Sequence, residues 1–190
     1  MARALLSPRP RLVLLDRDGV LNHDRDDYIK SPAELVVYPD APAAVARLNR
    51  AGIKVAVVSN QSAVGRGIIT PAELDAIHAS LTARLAAGGA ALDALLFAPD
   101  APDGATDRRK PGPGMLREAL AQLQVAPDAA VMIGDQPTDA EAARRAGVAF
   151  VLVRTGKGRT TEASLPADRA IAVFDDLAAA VAALLDGTPA

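Results

Sequence analysis

The run Leu12-Val13-Leu14-Leu15 contains no polar residue and no turn former, and it ends abruptly on Asp16-Arg17-Asp18-Gly19. A short apolar run of this kind reads as a strand covered on both faces, as in the middle of a parallel sheet. Ligands of open α/β sheets bind just beyond the carboxyl ends of the strands, where these two aspartates would sit. Side chains alternate along a strand, so Asp16 and Asp18 point the same way while the backbone stays extended. Two carboxylates crowded at one strand tip repel each other, and a cation or a shared proton is the usual remedy. Asp-Gly is also a common turn dipeptide, so this junction taken alone reads equally well as a strand with a polar corner.

The rest of the chain repeats the alternation of strand and helix. Asn22 to Pro39 reads as a polar excursion, a small flap over the first strand tip. Asp40 is placed as the N-cap of a helix that runs through Leu48 and is closed by Gly52. Strands are predicted at Ile53–Val58, Leu92–Ala98, Ala129–Ile133, Val148–Val153 and Ile171–Phe174. Val64-Gly65-Arg66-Gly67 reads as a glycine-rich loop. Thr70-Pro71-Ala72-Glu73 is a capping box with proline at the first helical position, opening a helix that turns Leu74, Ile77, Leu81 and Leu85 inward. His78 lies at the edge of that stripe and reads as a boundary residue. A helix from Pro113 to Gln124 buries Met115, Leu116, Leu120 and Leu123, a shorter one stops at Gly147, and Asp175-Asp176 cap a terminal Ala/Leu helix. The pattern predicts a single α/β domain over residues 1–190, with a central parallel sheet and helices on both faces.

Composition narrows the function. The chain has 190 residues, half of them apolar but only 3% aromatic, so its one core must be built from Ala, Leu and Val. A net charge of −2 gives no electrostatic footprint for a polyanion such as DNA. The absence of cysteine removes disulfides, thiolate nucleophiles and Cys-ligated zinc. With two histidines, His23 and His78, and no visible partner for either, a Ser-His-Asp hydrolase is not indicated. No apolar run approaches the roughly 20 residues that span a bilayer. Met1–Pro10 lacks the apolar core of a signal peptide, so a soluble, cytoplasmic protein is expected.

Polar residues of a consistent kind collect at the predicted strand ends. The first junction carries Asp16 and Asp18, the second Ser59 and Asn60, a later loop Arg109 and Lys110, and another strand end Asp135 and Asp139. A parallel sheet gathers these tips on one edge. Three carboxylates with a lysine and a hydroxyl suit a magnesium ion and a phosphoryl group. Mg²⁺ favours oxygen ligands, usually one or two carboxylates with phosphate and water, while Ser59 and Lys110 would take phosphoryl oxygens.

In order, the motifs are Asp16-x-Asp18-Gly19, Ser59-Asn60-Gln61-Ser62, Arg109-Lys110-Pro111 and Gly134-Asp135-x-x-x-Asp139. The set resembles the four motifs of the haloacid dehalogenase (HAD) superfamily of phosphohydrolases. More narrowly, it resembles the subfamily of heptose bisphosphate and histidinol-phosphate phosphatases. Leu15–Asn22, Gly65-Arg66-Gly67, Pro113-Gly114-Met115 and Val153–Lys157 share in that resemblance, which covers nearly the whole chain. It implies a Rossmann-like domain with Asp16 as the nucleophile that forms an aspartyl-phosphate. Asp18 would be the acid and then the base, and Asp16, Asp135 and the backbone carbonyl of Asp18 would hold Mg²⁺. Ser59 and Lys110 complete the catalytic set, and Asp139 would orient a metal-bound water or Lys110.

The chain also departs from that pattern. Many relatives carry a Cys/His zinc cluster before Arg-Lys-Pro, whereas residues 98–108 contain neither, so no zinc is expected. Gln136 stands where some relatives have lysine. The segments between motifs are too short for a large cap domain, so selectivity would rest on rim residues. Asn60, Arg66 and Arg109 are expected to contact substrate, and Lys157 to be a solvated or anion-screening residue. The implied partner is a small phosphorylated sugar, most specifically heptose 1,7-bisphosphate, handled by a monomer or at most a dimer without nucleic acid or membrane. The alternatives are a histidinol-phosphate phosphatase, a nucleic-acid 3′-phosphatase, which the scarcity of aromatics and positive charge argues against, and a non-catalytic binding module.

Overall fold

The computed structural model describes residues 9–164 and 171–186, so the expectation for Met1–Pro10 falls, up to residue 8, outside the described residues. Six strands form one parallel sheet: β1 (Leu12–Leu15), β2 (Lys54–Asn60), β3 (Ala94–Ala98), β4 (Ala130–Gly134), β5 (Ala149–Val153) and β6 (Ala172–Phe174). Their order is β3-β2-β1-β4-β5-β6. The connecting helices are α1 (Ala41–Arg50), α2 (Ser62–Gly65), α3 (Pro71–Ala87), α4 (Gly114–Leu123), α5 (Pro137–Ala146), α6 (Gly158–Ser164) and α7 (Leu177–Asp186).

All four β1 residues are buried, and their alternation divides the core in two. Val13 and Leu15 belong to the apolar cluster that α1, α3 and α7 complete on one face. Leu12 and Leu14 belong to the other, completed by α4 and α5. This is the two-sided sheet read from the sequence, and it fixes which way the strand tips point. Among the described residues, no helix is long and apolar enough to cross a membrane.

The capping box at Thr70 forms as expected, with Thr70 Oγ1 accepting from the Glu73 N–H and the Glu73 carboxylate accepting from the Thr70 N–H. Asp176 likewise caps α7 through the Ala179 N–H at 2.8 Å. Three local expectations need correction. Asp40 holds the N-cap position of α1 but makes no side-chain cap bond, because its backbone is already helical (φ −91°, ψ −15°). The expected loop at Val64–Gly67 begins instead as the helical turn α2. The Gln61 and Gly65 N–H groups bond to the carbonyls of Ala98 and Pro99 at the end of β3 and wind the chain there. His78 is buried rather than at a boundary, its ring 5.2 Å from that of Phe97.

Two irregular segments flank the sheet edge. The 22–40 segment is pinned by Arg84, which donates to the carbonyls of Leu35 at 2.7 Å and Pro32 at 3.1 Å. His23 stacks on Tyr38 with ring centroids 4.1 Å apart. The loop after β3 is closed by its own hydrogen bonds: Asp100 accepts from the N–H and hydroxyl of Thr106, and Arg109 Nη1 donates to the Asp100 carbonyl at 2.9 Å.

Candidate active site

The chain lays β1, β2 and β3 outward in one direction and then returns to place β4 on the other side of β1. The crevice at such a reversal is where open α/β sheets bind ligands. Asp16 follows β1 directly, its N–H bonding to the Ile133 carbonyl at 3.1 Å, and Asp135 follows β4. Lys110 enters from the loop before α4, and Asp139 from the first turn of α5. These four residues are buried, at 6%, 2%, 0% and 0% exposure for Asp16, Lys110, Asp135 and Asp139.

Lys110 Nζ lies 3.0 Å from Asp16 Oδ1 and 2.7 Å from Asp139 Oδ1. Burial disfavours its charge, but the two carboxylates, Asp139 first, outweigh that and hold the ammonium protonated well above the usual range. Asp139 Oδ2 accepts the Gln136 N–H at 3.1 Å, and its Oδ1 is held by the ion pair with Lys110 alone. Asp135 is different. Its Oδ2 takes the Lys157 N–H at 2.7 Å, while its Oδ1 is buried with no partner. Asp16 Oδ1 also accepts the Arg17 N–H at 2.7 Å.

One oxygen from each of Asp16, Asp135 and Asp139 falls within 4.8 Å of the others. Burial pushes the Asp16 carboxyl up to about 7, with Asp139 and Asp18 adding to it and Lys110 opposing. Burial, then the charges of Asp16 and Asp139, push Asp135 up to about 8. Carboxylates this reluctant to ionise together, one with a bare buried oxygen, fit a hard divalent cation. Lys110 and Gln136 engage Asp139, so Asp16 and Asp135 are the residues of this cluster that could ligate such an ion.

Two glycines close on Asp135. Gly19 and Gly156 have φ of +86° and +56°, and a Cβ on either would lie 2.3 or 2.2 Å from Asp135 Oδ2. Only glycine meets both demands. Thr155 Oγ1 donates to the Gly19 carbonyl at 2.6 Å, tying the loop after β5 to that turn, and Thr161 Oγ1 of α6 donates to the Asp135 carbonyl at 2.7 Å.

Asp18 sits at the cleft, its carboxylate accepting from Arg17 Nε and Nη2 (2.9–3.1 Å), Asn22 Nδ2 (2.8 Å) and Gln61 Nε2 (2.8 Å). The cleft, about 280 Å³, is also lined by Ser59, Asn60, Arg109, Lys157 and the flap residues Asp24, Asp26 and Tyr28. Asn60 is bound up with the lysine loop, its Nδ2 donating to the Lys110 carbonyl and its Oδ1 accepting the Lys110 N–H, both at 2.9 Å. Lys157 Nζ pairs with Asp24 at 3.2 Å across the rim. Arg66 is not brought to the site: it follows α2, exposed, and does not line the cleft.

Sequence reasoning assigned no role to Arg17, Asn22 or Gln61. Arg17 carried a signal, since an arginine between two strand-tip aspartates in a buried segment must turn its charge onto one of them. It is 1% exposed and forks Asp18. Burial, with the Arg17 charge, holds the His78 imidazole down to about 4, so it stays neutral there.

A HAD-hydrolase-like family model matches residues 107–180. The chain is 44% identical over 170 residues to the D-glycero-beta-D-manno-heptose-1,7-bisphosphate 7-phosphatase of Pseudomonas putida, covering 89% of this chain and 96% of that protein. It is 45% identical to the Pseudomonas aeruginosa protein of the same name, covering 92% and 97%. The crystal structure of D,D-heptose 1,7-bisphosphate phosphatase from B. bronchiseptica, complexed with magnesium and phosphate, superimposes with a TM-score of 0.90 at 39% identity, covering 94% of this chain and 99% of that one. The chain belongs to the D-glycero-beta-D-manno-heptose-1,7-bisphosphate 7-phosphatase family of HAD-like hydrolases.

Proposed function

We propose that residues 1–190 act as one phosphatase domain that removes the 7-phosphate of D-glycero-D-manno-heptose 1,7-bisphosphate, leaving the 1-phosphate. The observation that carries this reading is the buried cluster in which Lys110 spans Asp16 and Asp139 while Asp135 keeps a bare oxygen. The names of the 44–45% identical relatives support the substrate, and the magnesium and phosphate of the B. bronchiseptica structure support the cofactor. Asp16, Asp135 and the backbone carbonyl of Asp18 would hold Mg²⁺, which when bound offsets the charge of carboxylates and phosphate and lets them approach.

In the first step an Asp16 carboxylate oxygen bonds to phosphorus, the bond from phosphorus to the sugar oxygen breaks, and Asp18 gives that oxygen its proton. In the second, Asp18 takes a proton from water, whose oxygen attacks phosphorus and releases Asp16 and inorganic phosphate. Ser59 and Lys110 bind phosphoryl oxygens, and most of the rate enhancement comes from positioning and charge. With both amide atoms on the Lys110 backbone, Asn60 serves substrate by holding the lysine. Arg109 takes the second phosphate at the rim.

The enzyme works in the cytoplasm, since a sugar carrying two ionised phosphates does not cross a bilayer unaided, and it does so as a monomer or dimer. Asp24 and Asp26 on the rim suit sugar hydroxyls and would repel a nucleic-acid backbone. They are also the one feature favouring a second reading, a cationic amino-alcohol phosphate such as histidinol phosphate. Phosphate release over a panel of sugar mono- and bisphosphates and histidinol phosphate, with and without Mg²⁺, tests both. Preference for the heptose bisphosphate with loss of turnover on chelation is expected; preference for histidinol phosphate, or turnover in chelator, overturns the reading.

A further inference from the structure

Gln61 stands immediately after β2, and its main chain is fixed by the bond from its N–H to the Ala98 carbonyl at 2.8 Å. Its side chain is buried and folds back over the strand end. Nε2 lies 2.8 Å from Asp18 Oδ2 and 2.9 Å from Ser59 Oγ. Arg17 and Asn22 donate to the same carboxyl group, and any proton that Asp18 carries is the one meant for the leaving group, so the amide nitrogen faces Asp18 as a further donor. Its second N–H then falls on Ser59 Oγ. A hydroxyl has one hydrogen to give, and with an acceptor position filled by Gln61 that hydrogen is turned away from the amide and free to point into the cleft that Ser59 lines.

The other donors to Asp18 are Arg17 and Asn22, within four residues of it in the same turn. They shape that turn and travel with it. Gln61, 43 residues away, is the donor to Asp18 that belongs to another strand end among the described residues. It is therefore the contact that sets where Asp18 stands relative to Ser59, and so relative to any phosphoryl group Ser59 holds.

We propose that Gln61 is a positioning residue: one amide places Asp18 along the leaving-group oxygen and aims the Ser59 hydroxyl hydrogen at the phosphoryl group. This rests on the acid role of Asp18 and the phosphoryl contact of Ser59 given above. It predicts an effect that depends on the leaving group. A sugar alkoxide needs a proton as it departs, whereas a nitrophenolate does not, and kcat/KM reports only events through that departure.

The test is kcat/KM for heptose bisphosphate and for p-nitrophenyl phosphate in Gln61→Met, which keeps the volume and removes both N–H donors. The ratio of aryl to sugar kcat/KM should rise about tenfold in Gln61→Met and about a hundredfold in Asp18→Asn, a share of the usual acid–base contribution. Ser59→Ala should lower both substrates alike, leaving the ratio unchanged. In the Asp18→Asn background, Gln61→Met should no longer change the ratio. Calorimetric Mg²⁺ binding should stay as in the parent, showing that Asp16 and Asp135 are undisturbed. If Gln61→Met does not fold, Gln61→Ala, which also removes both N–H donors, predicts the same rise. A raised ratio in Asp18→Asn with none in the Gln61 variants overturns this proposal alone. An unchanged ratio in Asp18→Asn overturns the acid role, and the proposal with it.

Discussion

The floor and the rim of the cleft are both built of charged residues, but by opposite means. On the floor, Lys110 meets carboxylates from two other elements, the tip of β1 and the first turn of α5, and every member is buried. On the rim, the pairs are mostly local: Arg25 with Asp27 at 2.9 Å, Lys30 with Asp27 at 2.7 Å and with Glu34 at 3.6 Å, all at least partly open to water. A buried group that loses its partner cannot recover the loss from solvent, whereas an exposed pair is screened by water and contributes little. The floor is thus chemically committed. The rim can be rebuilt, and the function proposed above puts substrate choice there.

The largest effect expected on the floor is from Asp16→Asn, which removes the proposed nucleophile and should cut kcat by roughly 10⁵-fold. Lys110→Met should cost about 10²–10³-fold in kcat and also lower the melting temperature, because it leaves Asp139 buried without its counter-ion. The floor also has a signature in pH. The folded, metal-free protein holds protons on Asp16 and Asp135 that the unfolded chain would release near 4. The stability these protons bring is fully present below about pH 4 and is lost as pH rises through about 7 to 8. The melting temperature in chelator should therefore fall between about pH 5.5 and 8.5, and saturating Mg²⁺ should flatten the decline. A melting temperature that rises with pH in chelator would contradict the crowded-carboxylate picture.

Rim changes should be smaller and selective. Arg109→Ala should raise KM for the bisphosphate about tenfold and leave a monophosphate little changed. Lys157→Ala removes only an exposed ammonium, since the N–H that Asp135 needs belongs to the backbone, and should alter kcat less than about threefold. Should Lys157→Ala cost as much as Lys110→Met, the division between floor and rim would be wrong.

Much of the floor was legible because its parts announce themselves locally. An apolar run that stops on aspartate, as at Asp16 and again at Asp135, has a physical reason to occur at a strand-to-helix junction, and the parallel sheet brings such junctions together. What was not legible depends on partners far away in sequence. Nothing around Asn60 says that both its amide atoms will meet the Lys110 backbone, 50 residues on. The same holds for Gln61 and Asp18, and for His78, whose burial is decided by Phe97 on β3. Arg66 was misleading for the reverse reason. Its neighbours matched a motif, but α2 winds the chain so that the guanidinium stays outside the cleft.

Gly19 and Gly156 carry no functional group, yet each leaves less room beside Asp135 than a single methyl requires. Mutational tolerance at these two positions should match that of the aspartate itself, with even alanine pushing the carboxylate off its bearing. A loss of activity mapped to either glycine would reflect crowding and no missing chemistry, and a smaller neighbour at Asp135 could not repair it without giving up the carboxylate.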